Sequence, residues 1–238
     1  MKTLVIVSGL IREPIDFSFW KSIPNVDIIY ASWYSSSGRK YGEYGDVLKG
    51  CEKRPGLTYE YDIDEWYNIL YGIQEYDINN PLMQDQRWGC LQILIHSLVL
   101  RDHDTSQYDN IVRARWDVEF QQDPSLEDIE KVFNLVCDEH TAVGIGAVGR
   151  KKDPHVTMLG CPVWKRKISM WNWMPDWCTI HREGDFDYES AIRDFKQHRC
   201  MMAEFGWRWY LKNNSNIEWI YVGDNDNLKM LGCNRRSK

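Results

Sequence analysis

The segment Tyr108-Asp-Asn-Ile-Val-Arg-Ala-Arg-Trp-Asp-Val-Glu-Phe120 concentrates residues able to do chemistry. Ile111 and Val112 read as the end of a buried strand, which runs directly into Arg113, Arg115, Asp117 and Glu119. Side chains alternate faces along a strand, so those four point to one side. Two guanidiniums followed by two carboxylates on one face are costly to bury and hard to explain as packing. Arginine's planar fork fits phosphate oxygens. Asp117-x-Glu119 supplies hard oxygen ligands for Mg2+ or Mn2+. Together they have the chemistry of a diphosphate-plus-metal site placed where a strand leaves its sheet. A solvated edge strand with two surface ion pairs would present the same residues.

Several elements must position that segment. Leu4-Val-Ile-Val7 is a continuous β-prone run that ends at Ser8-Gly9, as expected of a strand buried on both faces of a parallel sheet. Val26 to Ala31 is a second strand candidate, with a short helix or turn from Phe17 to Ile23 between them, which predicts a βαβ start. Ser35 to Leu57 reads as a long loop, either a binding lid or a surface excursion. Leu57 to Ile63 holds another strand candidate, and Asp64 is placed to cap a brief helix. Trp88, Leu91, Ile95 and Leu98 fall at helical spacing, widened by Leu94 and Val99, with Gln92 and His96 off the stripe. Ser125 caps a further helix with the stripe Leu126, Ile129, Val132, Phe133 and Val136. Thr141 to Val148 reads as a strand. Its Gly144-x-Gly146 lacks a third glycine at dinucleotide spacing, which argues against a nicotinamide site. A helix is expected from Glu189 to about Leu211, then a last strand from Ile217 to Val222.

The 238 residues suffice for one large domain, and a hydrophobic share of 43% allows a core of ordinary size. The net charge of -6 excludes a generic nucleic-acid binder, so any phosphate attraction must come from local patches. Two such runs are Arg150-Lys-Lys152 and Lys165-Arg-Lys167, and a third closes the tail at Arg235-Arg236. The 12 Trp and 13 Tyr serve cores, but also stacking surfaces for bases and sugars. The seven cysteines form no C-x-x-C pair, which points to scattered reduced thiols. The apolar run at the start is too short for a signal peptide or a membrane span. A soluble, cytoplasmic protein is the expectation.

Ser8-Gly-Leu-Ile-Arg12, Asp27-Ile-Ile-Tyr-Ala-Ser-Trp33 and Tyr108-Asp-x-Ile-Val-Arg-x-Arg-x-Asp117 occur in an order that resembles small nucleotide-sugar glycosyltransferases of the GT-A type. The likeness is to lipopolysaccharide-biosynthesis-type enzymes and to bacteriophage-encoded relatives, and it covers roughly the first half of the chain. It implies a GT-A-like, Rossmann-like α/β/α sandwich with a mainly parallel central sheet. It further implies one domain, with a nucleotide-sugar half over about 1–122 and an acceptor half over about 123–238. Ser8, Gly9 and Arg12 would meet the nucleotide, Gln92 would add a polar contact from its helix, and Arg113 and Arg115 would reach the diphosphate. Asp117 and Glu119 would hold Mn2+ or Mg2+, with His155 as a third ligand or a phosphate contact. Glu204 and Asp176 are candidates for the base that activates an acceptor hydroxyl. Trp116 stands where the family pattern has Pro or Ser, and the acidic pair is Asp-x-Glu rather than Asp-x-Asp.

The donor would be a nucleotide sugar, UDP-linked by this resemblance. Two acceptors are compatible with the sequence. A hydroxymethylated base in phage DNA, glucosylated or arabinosylated in the host cytoplasm, suits the basic runs and the many aromatics that could hold a flipped base. A lipopolysaccharide or capsule glycan suits the acidic balance. A binding module that kept the fold and lost catalysis belongs to another class, and the retained carboxylates beside the arginines speak against it.

Overall fold

In the computed structural model, three of the expected apolar runs lie side by side as parallel strands: β1 (Thr3–Ser8), β2 (Val26–Tyr34) and β4 (Asn110–Arg115). The structure describes residues 1–9, 18–37, 57–66, 68–69, 89–115, 118–120, 125–138, 141–145, 178–199, 207, 210–211, 218–221 and 233–235. β1 takes the centre, with Val5 opposite Ile28 on one side and Val112 on the other. Leu4 to Val7 are at most 2% exposed, which is why this strand reads as an unbroken apolar run rather than an alternating one. β3 (Leu57–Asp62) adds outside β2. On the other flank come β7 (Cys178–Arg182), β6 (Thr141–Ile145) and β8 (Glu218–Tyr221). The described strands lie in the order β3-β2-β1-β4-β7-β6-β8, and among them β7 runs against the others.

Helices cover both faces. On one face α2 (Gly89–Asp102) packs under α4 (Tyr188–Lys196), enclosing Leu4, Ile6, Ile29 and Ile111. On the other, α1 (Ser18–Ser22) and α3 (Leu126–Asp138) enclose Val5, Val7, Tyr30, Val112 and Ile180. This is the α/β/α sandwich with a mainly parallel central sheet that the sequence implies. Because α2 lies between the sheet and α4, every residue from Ile93 to Leu100 is buried, His96 and Ser97 included, so the expected one-sided stripe widens to all sides of the helix's middle two turns.

α3 begins as expected. The Ser125 hydroxyl accepts the Asp128 N–H at 3.2 Å and donates to the Asp128 carboxylate at 2.6 Å. Its packed stripe starts at Ile129; Leu126, the first helical residue, is 44% exposed and does not join it.

Three expectations are corrected. The helix expected over 189–211 stops at Lys196, because His198 adopts φ 58°, a left-handed turn, and the Arg199 N–H then closes back on the Asp194 carbonyl at 2.8 Å. Leu211 instead forms an antiparallel bridge with Phe186. Nor do Arg113 to Glu119 share one strand face. β4 ends at Arg115, and β5 (Val118–Phe120) belongs to a separate two-stranded sheet with β9 (Cys233–Arg235). There Glu119 lies opposite Asn234 and Val118 opposite Arg235, so the C-terminal segment returns to the arginine-bearing strand's exit. Finally, β7 lies between β4 and β6 where no strand was expected.

At the amino ends of the strands, Lys2 Nζ lies 3.0 Å from the Asp27 carboxylate, and the Tyr108 hydroxyl donates to the same carboxylate at 2.9 Å. The Lys2 hydrogen bond is the main reason the Asp27 carboxyl is held below the usual range. This cluster ties β1, β2 and the start of β4 together at the end opposite Ser8 and Arg115.

Candidate functional site

β1, β2 and β3 wind outward in one direction; the chain then returns through α2 and lays β4 on the other side of β1. The strand order therefore reverses between β1 and β4, and in open α/β sheets the crevice beyond the carboxyl ends at such a point is where ligands bind. Ser8 and Arg115 are register partners at that end, with Ile6 and Arg113 paired two residues before them. The Gly9 N–H still reaches the Ala31 carbonyl at 3.1 Å, and the chain then turns with φ 139° at Gly9. A side chain there would be strained, so glycine is what lets the backbone turn off the sheet at the crevice.

Arg113 is fully buried on the α2 side. Its Nε donates to the Ser8 hydroxyl at 3.3 Å, its Nη2 donates to the Gln92 side-chain oxygen from α2, and its guanidinium carbon sits 4.8 Å from the centroid of the Trp207 ring. Three elements distant in sequence thus converge on one cation. Arg115, two residues later on the same face, is partly exposed at the strand's end.

On β2 and β3, the same end of the sheet is fixed by a carboxylate. Asp64 accepts the Ser35 hydroxyl at 2.9 Å and the Ser37 N–H at 2.6 Å, while Asp62 accepts the Ser36 N–H at 3.2 Å. The turn after β2 is held by these bonds beside the crevice.

Behind Arg113 lies a buried histidine pair. The His96 and His181 Nε2 atoms are 3.5 Å apart, and His181 Nδ1 lies 2.9 Å from the Arg182 carbonyl. That second contact assigns the proton to Nδ1 of His181, leaving its Nε2 to accept from Nε2–H of His96. Nδ1 of His96 is then an unprotonated acceptor, in keeping with its lack of a hydrogen-bond partner among the described residues. Burial lowers the His181 pKa to about 4, against a smaller opposing contribution from the Arg182 carbonyl. Burial, then His181, then Arg113 push His96 well below its ordinary value. Both rings are neutral in the fold.

A pH dependence follows. Each histidine has a lower pKa folded than unfolded, so its contribution is complete above the unfolded value of ~6.5 and is lost on acidification. For His181 the loss runs from about 6.5 down to about 4. By pH 5 it amounts to ~2 kcal/mol for this residue, at ~1.4 kcal/mol per pH unit. Urea unfolding at pH 7.5 and pH 5 should show that decline, and His181→Gln should make it shallower. Equal stability at the two pH values would show that the pair is not buried neutral.

Of the residues singled out from sequence, Ser8, Gly9, Gln92, Arg113 and Arg115 come together at the β1–β4 crevice. Glu119 lies in β5, off the main sheet. Arg12, Asp117, His155, Asp176 and Glu204 lie outside the described residues, as do the basic runs at 150–152 and 165–167. Among the described residues no group of three His, Cys, Asp or Glu side chains is placed to hold a metal. Burial pushes the Cys178 thiol up to about 12, which makes it no nucleophile. Also among the described residues, no helix is long and apolar enough to cross a membrane. Trp207 and His181 were missed from sequence. Neither stands near the arginine motif in the chain, and only the folding of β7 and the residue-207 segment against α2 brings them to it.

No protein-family model matches this chain, and no curated protein does. Among solved structures it is similar to 4-diphosphocytidyl-2C-methyl-D-erythritolsynthase from Anaerococcus prevotii, with a TM-score of 0.39 and 10% identity over 92% of this chain and 86% of that one. It is also similar to mouse xyloside xylosyltransferase 1 in its apo form, with a TM-score of 0.29 and 8% identity over 62% of this chain and 52% of that one. The chain spans about half the length of that second protein. These likenesses concern the course of the backbone; the chemistry of this chain has to come from its own side chains.

Proposed function

We propose that this protein is a nucleotide-sugar-dependent glycosyltransferase that moves a hexosyl or pentosyl group from a UDP-linked donor to an acceptor hydroxyl. The observation that carries the reading is the buried Arg113, tied to Ser8 and Gln92 where β1 and β4 end. Breaking the bond from sugar C1 to the diphosphate leaves negative charge on the departing phosphate. Fixed cations aimed at that charge lower the barrier, because they need no reorganisation as it forms. Arg115, at the exit of β4, contacts the diphosphate. Arg113 behind it adds positive field and holds the Ser8–Gly9 turn.

Asp117 and Glu119 are carboxylates and His155 is an imidazole, a donor set that fits Mn2+ or Mg2+. Asp117 follows Arg115 by two residues, a span of at most ~7 Å. A cation held there supplies Lewis-acid stabilisation of the diphosphate oxygens. Glu204 or Asp176 takes the proton from the attacking hydroxyl.

For the acceptor we favour a hydroxymethylated base in DNA. Support comes from the basic runs at 150–152 and 165–167 and from Arg235, which β9 sets opposite Val118 beside the arginine–carboxylate segment. The test is incubation with a panel of nucleotide sugars and Mn2+, reading out free nucleotide, with hydroxymethylcytosine DNA or glycan acceptors added in parallel. The expected result is UDP release that DNA stimulates. Stimulation by glycans alone would move the acceptor to carbohydrate synthesis. UDP-sugar binding without release under any condition would make the protein a binding module.

A further inference from the structure

Trp207 is the platform on which Arg113 rests. It is fully buried, with the Arg113 guanidinium carbon 4.8 Å from its ring centroid. His96 meets the same ring edge-on at 5.0 Å and 80°, and Phe186 packs on it at 5.7 Å. A guanidinium on a long side chain has to be fixed in two ways before its fork points reliably. Hydrogen bonds fix rotation within its plane, and a surface under the plane fixes its tilt. Ser8 and Gln92 supply the first, and Trp207 supplies the second. Attraction between a cation and a ring face is strengthened where both are desolvated, as they are here.

We propose that Trp207 is a positioning residue for the nucleotide-sugar site, holding the Arg113 plane so that Arg113 in turn holds the Ser8–Gly9 turn and the end of β4 in binding geometry. This rests on the donor-site reading above. Trp207 touches no substrate; it acts through Arg113, which predicts that its effect disappears when Arg113 is changed.

The test is calorimetric titration of UDP with Mn2+ against the full chain and the variants Trp207→Leu, Trp207→Phe, Arg113→Lys and the double variants, with circular dichroism as the check on folding. Trp207→Leu should weaken UDP binding ~10-fold, and Trp207→Phe, which keeps an aromatic face, should stay within ~3-fold. Combined with Arg113→Lys, Trp207→Leu should cost little more than Arg113→Lys alone. If Trp207→Leu does not fold, the same cycle is run with Trp207→Phe, and the penalties should again fail to multiply. Penalties that multiply independently, or a folded Trp207→Leu that binds UDP as the natural protein does, would overturn the inference. If the natural protein binds no UDP, the donor-site reading fails; if it binds UDP and the folded Trp207 variants bind it equally, that reading stands and the platform role falls.

Discussion

Replacing Arg115 with Ala is expected to lower transfer from a UDP-sugar by ~10²–10³-fold, the range seen when one preorganised donor to a developing charge is lost. The effect comes from position. Arg115 is the last residue of β4, the register partner of Ser8, and partly open to the crevice. Its removal takes away a charge without emptying core volume, so the melting temperature should move by no more than a few degrees. Arg115→Lys should recover part of the loss, since it restores the charge but not the two-pronged geometry. Steady-state kinetics beside a thermal melt decide the point. A folded Arg115→Ala enzyme with nearly full kcat/KM would remove this residue from the diphosphate site. Arg113 is a poorer probe for the same question, because its replacement also strands Gln92 and uncovers Trp207.

A second large effect is expected at Asp117. Asp117→Ala should abolish transfer and remove the response to added Mn2+, with folding retained, because the role proposed for this carboxylate is to hold the metal. Turnover measured across a Mn2+ titration is the readout. Undiminished activity with an unchanged metal response would contradict the carboxylate assignment, and would leave the arginines to stabilise the leaving group alone.

What could be foreseen from sequence follows the physics of each element. β1 announced itself because a strand covered by helices on both faces is apolar along its length, β2 and β4 through the shorter apolar runs at Ile28–Ala31 and Ile111–Val112, and α3 because Ser125 and a stripe of period 3.6 mark a helix locally. β7 was hidden. Cys178-Thr-Ile-His-Arg182 has no apolar run, and His181 is at home inside only because His96 accepts it as a partner from another element. The extrapolation of one strand face from Arg113 through Glu119 failed where alternation stopped being local information, since β9 draws β5 into a second sheet. Similarly, the end of α4 depends on the left-handed turn at His198, a residue type with no strong breaking signal. At the site, the arginine pair was legible from its spacing and Gln92 from its helix. The Trp207 platform was not, because it exists only once separate segments have folded together.

The central claim is that a donor diphosphate binds beyond the carboxyl ends of β1 and β4. A crystal structure of the protein with UDP and Mn2+ tests it most directly. The account predicts diphosphate oxygens within hydrogen-bonding reach of Arg115, ~3 Å, with the nucleotide against the turn at Gly9. A diphosphate seated elsewhere, for example in the groove between α2 and α4 beside Arg101, Arg193 and Lys196, would contradict it.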